Sequence, residues 1–248
     1  MNQSFFIGAI GAHQQQQRLN VHGNNIANVN TYGFKAGKGR FAALMYDDVK
    51  AIDDRMLPSG VGACLWTTDT DFSTGAAATT DGKQDYMING SGFFAVADLA
   101  TGEVTLTRQG AFSMASLQRD SGEVDEMGNP IMEEVWYLSD GEGRFVLSNT
   151  GGMIEMTDDE AEQPIGIFDY INYEGMVHWD GTRLQAVEKN GGLRVGDGQL
   201  VRGMLEMSNV DLAEEMTKVI ESQRAYSMAL KMVQTSDEIE TTINGLRN

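Results

Sequence analysis

Asn24-Asn25-Ile26-Ala27-Asn28-Val29-Asn30-Thr31-Tyr32-Gly33-Phe34-Lys35 is the stretch that decides how the chain is built. Upstream of it, Asn2 to Val21 contains no proline and carries the glutamine run Gln14 to Gln17, which reads as helix. Within it, Asn and Thr side chains bond nearby backbone groups and compete with helix. Gly33 then permits a positive-φ turn, and Phe34 offers an apolar anchor beyond it. The stretch predicts a helix ending that hands the chain to extended structure.

The helix before it carries Ile7, Ile10, Gln14, Gln17, Val21, Asn24 and Asn28 at alternating spacings of three and four. This is a heptad-like seam whose lower half is amide. It reads either as a surface helix with a poor apolar stripe or as a seam that needs a specific partner. The only comparable seam lies at the other end of the chain. There Leu212, Met216, Val219, Gln223, Tyr226, Leu230 and Val233 repeat the spacing in a helix expected from Asp211 to Leu246, on the order of 50 Å long. Ser208 or Asn209 is the expected N-cap, with Asp211, Glu214 and Glu215 suited to the helix N-terminus.

Between the helices the period changes. Phe41, Leu44, Met45 and Tyr46 read as a short amphipathic piece, Pro58-Ser59-Gly60 as a turn, and Thr67 to Thr80 as an extended linker of low hydrophobicity. From Tyr86 onward, short alternating runs are separated by Gly and Asp turns. They predict strands at 86–88, 92–97, 104–108, 111–114, 134–138, 145–147, 165–170, 176–179 and 184–187, hence a compact all-β module. Four acids between Met156 and Gln163 read as a solvated loop. The fold class is α+β: long N- and C-terminal helices form a coiled-coil-like bundle with an inserted all-β module and extended linkers. In domain terms, residues 1–35 pair with 205–248, residues 36–85 and 188–204 connect, and residues 86–187 form the β module.

Composition narrows the chemistry. The 36 acids and 18 bases leave a net charge of −18, a surface that repels nucleic acid and anionic lipid. The single cysteine, Cys64, cannot form an intramolecular disulfide and has no basic helper nearby in sequence. The first residues lack the charged and apolar regions of a secretory signal, and no run of 18 apolar residues offers a membrane span. His13 and His22 are nine residues apart, the wrong spacing for a helical metal pair. Asp69-Thr70-Asp71 opens like a calcium loop, but the glycine falls one residue late, at Gly75, and Thr80 stands at position twelve. No catalytic constellation, metal site or cofactor site is read.

Several stretches together resemble the signature of the flagellar basal-body rod and hook protein family. Asn24, Asn25, Ala27 and Asn28, then Thr31, Gly33, Phe34 and Lys35, fill its N-terminal motif. Gly92, Phe93 and Phe94 fit its Gly-Phe-Phe strand, and Thr107 to Phe112 its Thr-Arg-x-Gly-x-Phe segment. Glu206, Ser208, Asn209, Val210, then Glu214, Glu215, Met216, then Gln223, Arg224, Ala225, Tyr226, and Thr235, Asp237, Glu238 match its C-terminal signature. The resemblance implies a structural rod subunit and favours the distal-rod type, with a proximal-rod or hook-like subunit of the same family as the alternative. Such a subunit is exported through the flagellar secretion apparatus without a cleaved signal and polymerises into a torque-transmitting axial tube in the cell envelope. Implied partners are copies of itself, other rod and hook proteins and the export apparatus, with no nucleic acid and no bilayer insertion. Two other classes stay open on the residues alone: an extracellular β-domain binding protein with trimerising helices, and a glycan hydrolase whose two carboxylates face each other across a cleft.

Overall fold

The computed structural model describes residues 3–44, 47–50, 56–60, 62–124, 130–156 and 163–246. Two helices flank a β-rich middle, so the chain is α+β. It divides into two units. One comprises Met1–Val29, Ala36–Asp71 and Val210–Asn248; the other comprises Asn30–Lys35 and Phe72–Asn209. The Asp158–Glu162 acids fall outside the described residues.

The first unit holds helix α1 (Gln3–Ala27), strands β1 (Gly37–Ala43), β2 (Asp47–Lys50), β3 (Met56–Ser59) and β4 (Ala63–Thr70), and helix α2 (Leu212–Leu246). At the end of α1, Asn28 Nδ2 donates to Asn24 O at 2.9 Å and to Asn24 Oδ1 at 3.1 Å, so the amides serve carbonyls that the helix leaves open. The two helices pack on each other through small and polar side chains. Buried on α1 are Gly8, Ala12, His22 and Asn25, and on α2 Glu215, Ser222 and Ser236. Gly8, His22 and Asn25 each lie one residue past the expected seam positions Ile7, Val21 and Asn24. Close approach explains the shift: a Cβ at Gly8 would stand 2.9 Å from Val233 Cγ2 and 3.3 Å from Ala229 O.

On α2 the expected seam is half right. Val219, Tyr226 and Val233 are half-buried, whereas Leu212, Met216, Gln223 and Leu230 are exposed. The expected N-cap is corrected as well. Asp211 caps α2, its Oδ1 accepting from Ala213 N at 2.9 Å and Glu214 N at 3.2 Å, because it directly precedes the first helical residue.

The stretch expected as linker is extended, but as paired strand. Strand β1 runs antiparallel to β4 with a bulge between Arg40 and Phe41, and β2 pairs with β3. Phe41 lies in β1 opposite Leu65 rather than in an amphipathic piece, and Met45 and Tyr46 lie outside the described residues. Thr67, Thr68 and Thr70 sit well on a pleated surface, so this ladder forms without an apolar run.

The second unit contains β5 (Ala77–Thr79), β6 (Tyr86–Asn89), β7 (Phe93–Ala97), β8 (Val104–Thr107), β9 (Phe112–Val124), β10 (Pro130–Asp140), β11 (Phe145–Val146), β12 (Ile167–Asp169), β13 (Val177–Asp180), β14 (Arg183–Gln185), β15 (Arg194–Val195), β16 (Gln199–Arg202) and β17 (Met204–Glu206). Nine of them form one sheet in the order β13-β14-β8-β7-β11-β10-β9, with β12 joining β7 to β15. Two further pairs, β16 with β6 and β17 with β5, bring the return segment back.

Strand β7 is the centre of the core. Its apolar run lacks alternation because both faces are covered. Phe94 and Val96 pack with Tyr86, Phe112, Leu138 and Ile165, while Phe93 and Ala95 pack with Leu106, Phe168 and Leu184. Phe94 meets Phe112 edge-on at 5.1 Å between centroids.

Candidate functional site

The signature residues resolve into two clamps, one in each unit. In the helical unit, Asn25 is fully buried at 1% exposure. Its Nδ2 donates to Gly37 O at 2.9 Å and to Glu215 Oε2 at 3.2 Å, and its Oδ1 accepts from Gly37 N at 2.9 Å. One amide thus ties the end of α1 to the start of β1 and to α2. His22 Nδ1 shares the same Glu215 oxygen at 2.7 Å, and Lys218 reaches Glu215 Oε1 at 3.2 Å. Burial alone would raise the Glu215 carboxyl; the hydrogen bonds from His22, Asn25 and Lys218 outweigh it and hold the group below the ordinary glutamate range.

In the β unit, Lys35 and Glu206 form the other clamp. Gly33 sits at φ +71°, donates its N–H to Glu206 O at 2.7 Å, and leaves no room for a Cβ, which would stand 2.3 Å from Gln109 N. That turn aims the next two side chains inward. Phe34 is buried beside His178, with ring centroids 6.5 Å apart. Lys35 Nζ donates to Glu206 Oε1 at 2.6 Å and to Ser73 O at 2.7 Å. The same carboxylate accepts from Gly75 N at 2.9 Å and, through Oε2, from Arg108 at 3.1 Å. Arg108 also donates to Ile88 O and Gly90 O and lies over the Phe93 ring at 5.3 Å. Glu206 and Lys35 are both almost wholly buried, so the cluster is a desolvated, hydrogen-bonded charge network. Asn209 joins it at the edge, its Nδ2 donating to Ser73 O and Oγ at 3.2 and 3.1 Å.

The remaining signature residues fall elsewhere. Phe93 and Phe94 are core, and Gly92 at φ +116° turns the chain into β7. Asn24 and Ala27 are exposed, and Thr31 is half-buried. Ser208 and Val210 are half-buried in the approach to α2. Gln223 and Arg224 are exposed on α2, with Ala225 and Tyr226 half-buried. Sequence reasoning passed over Glu215 as a clamp residue, since an acid in the first turn of a helix is already accounted for by the helix dipole. The signal lay in His22 and Asn25, three residues apart on one helical face.

A different surface is left uncovered. Met216, Ile220, Met228, Leu230, Met232, Ile239 and Ile243 are exposed along α2, Met228 at 69%. Among the described residues, none groups with others into a set of three or more His, Cys, Asp or Glu able to hold a metal ion, and no helix is long and apolar enough to cross a membrane. What the geometry offers is two internal clamps and a long helix with many exposed apolar side chains.

Comparison with known proteins places these features. Residues 7–35 match the family described as flagella basal body rod protein, and residues 201–246 match that described as flagellar basal body rod FlgEFG protein C-terminal. The chain is 33% identical over 259 residues to flagellar basal-body rod protein FlgG of Buchnera aphidicola subsp. Schizaphis graminum, covering 95% of this chain and 96% of that protein. It is 30% identical to FlgG of Bacillus subtilis, covering 96% of this chain and 97% of that protein. To FlgF of Caulobacter vibrioides it is 29% identical, covering 96% and 95%. The motifs at both ends, the two clamps they build and this end-to-end similarity lead to one conclusion: the chain belongs to the flagellar basal-body rod protein family.

Proposed function

We propose that this protein is a structural, non-catalytic subunit of the flagellar basal-body rod, of the distal-rod type, polymerising with copies of itself into an axial tube that transmits torque. The observation that carries this reading is the set of large apolar side chains exposed along α2, from Met216 to Ile243. A helix that spends its intrachain face on Ser222, Ser236 and Glu215 while leaving its large apolar side chains in water gains little by folding alone. Copies of the chain can cover those side chains, and mass action then stabilises the helices. Repetition of a head-to-tail contact that does not close gives a helical filament. In the tube, α1 and α2 line the axis, the β unit faces outward, and neighbouring rod and hook proteins continue the stack. The flagellar export apparatus delivers the chain to the envelope without a cleaved signal, and the surplus of acids keeps the monomer dispersed.

The test is assembly of the full chain against a chain ending before Leu212, followed by sedimentation and electron microscopy. The shortened chain keeps the near-ultraviolet signature of its aromatic core and stays in the supernatant. Filaments from it would overturn the proposal. In a finer version, Asn25→Leu removes the amide clamp, leaving a stickier helix with lost register and irregular filaments; regular ones would make the clamp incidental to assembly.

A further inference from the structure

We propose that the β unit binds a neutral oligosaccharide in a cleft that is separate from the charge network around Glu206 and that the assembly reading does not use. The cleft has a volume of 370 Å³, within the usual range for small-molecule sites. It opens between two tight turns. One follows β10, where Asp140 Oδ1 accepts from Glu142 N at 3.2 Å and Arg144 N at 3.0 Å. The other joins β13 to β14 through Gly181. Both turns are braced by ion pairs. Arg144 donates to Asp140 Oδ2 at 2.6 Å and also pairs with Glu142, while Arg183 donates to Asp180 Oδ2 at 2.9 Å. The floor is neutral: Thr182 Oγ1 donates to Gln109 Oε1 at 3.0 Å, and Thr107 Oγ1 accepts from Gln109 N at 3.0 Å.

Arg144 and Arg183 also line an adjoining hollow of 170 Å³, together with Trp179. That indole is 52% exposed, on a strand at the end of the sheet. Three features select the ligand class. Each guanidinium already has a carboxylate partner, and the lining carboxylates Asp140, Glu142 and Asp180 outnumber the two arginines, so a phosphate or other anion gains nothing by entering. The side chains present donors and acceptors together, in fixed planes, which suits vicinal hydroxyls that both give and accept hydrogen bonds. The exposed indole beside them offers an apolar face to the C–H face of a pyranose. A polar ligand with one apolar side and no charge is a sugar.

The test uses the full-length, ¹⁵N-labelled chain titrated with cellotetraose and with tetra-N-acetylchitotetraose. Expected is a saturable shift of the Trp179 indole N–H and of the Gln109 and Thr182 amides, with Trp66 and Trp136 unmoved. Trp179→Ala weakens binding by about ten-fold or more, a loss of about 1.4 kcal/mol. Thr182→Val, which leaves the indole in place as a reporter, weakens it while the rest of the spectrum stays unchanged. No shift with either sugar, or equal shifts at all three indoles, overturns the proposal. So does a response to an alanine tetrapeptide with none to the sugars, since that would make the cleft a peptide site.

Discussion

The two units solve the folding problem in opposite ways. Among the described residues, the buried apolar side chains of the helical unit are two alanines, Ala12 and Ala36. The β unit buries Phe34, Tyr86, Phe93, Phe94, Phe112, Leu138 and many more. Buried polar groups occur in both units. The β unit surrounds its buried Glu206 with three donors, from Lys35, Gly75 and Arg108, yet leaves Thr105 Oγ1 and Arg108 Nε without a hydrogen-bond partner; the helical unit leaves Gln15 Oε1, His22 Nε2, Ser222 Oγ and Ser236 Oγ so. An unsatisfied buried group costs about 1–3 kcal/mol. One unit is thus held by a large apolar core of its own, and the other folds around small and polar side chains while its large apolar side chains on α2 stay exposed.

The contrast breaks most readily in the cores. Phe94→Ala should cost about 3–5 kcal/mol in urea unfolding followed by near-ultraviolet dichroism, since it empties the centre of the sheet. Met228→Ala in the dilute monomer should stay within about 0.5 kcal/mol, as for other exposed positions. Equal costs would end the comparison. Glu206→Ala strands Lys35 and Arg108 in a desolvated site, and a loss of about 3–5 kcal/mol confined to the β unit is expected. Should helix protection in hydrogen exchange fall in step, the two units would not be separable.

Smaller effects sharpen the helical side. The Glu215 carboxyl titrates below its ordinary value in the folded chain, so the unfolded chain binds the proton first as pH falls. Its contribution is therefore full above the unfolded value of about 4.3 and is lost as pH drops through the folded one. Amide exchange across 3–27 and 212–246 should accelerate over that window, and Glu215→Gln should flatten the response. The smallest expected change has the opposite sign. Ser222→Ala deletes an unpartnered hydroxyl and should stabilise the helix pair by about 1 kcal/mol, read from the same exchange experiment. A destabilisation would mean that the hydroxyl has a partner after all.

Much of this architecture is legible in the sequence because periodicity is local. The apolar run Phe93–Ala97 and the Gly-punctuated alternation around it mark strands, and three-four spacing marks both helices. What escapes is whatever depends on distant partners. The seam on α1 lies one residue from the expected positions because Gly8 admits Val233, a neighbour that spacing on α1 cannot reveal. Strand β1 carries little apolar signal and forms by pairing with β4. The clamps join Lys35 and Asn25 of the N-terminal motif to Glu206 and Glu215 of the C-terminal signature, 171 and 190 residues away, so each motif names its members without naming what they hold.

Glu206 also sets a clock. It is the counter-charge that Lys35 and Arg108 share, yet it lies 171 and 98 residues after them. While the chain is being made, burying those two cations before residue 206 has emerged would cost several kcal/mol. Strands β16 and β17, which pair with β6 and β5, arrive equally late. Closure of the β unit is thus tied to the arrival of residues 199–206, and loop-closure entropy slows it further. Until residue 206 has joined them, Lys35 and Arg108 have no carboxylate to share, and the β unit stays open.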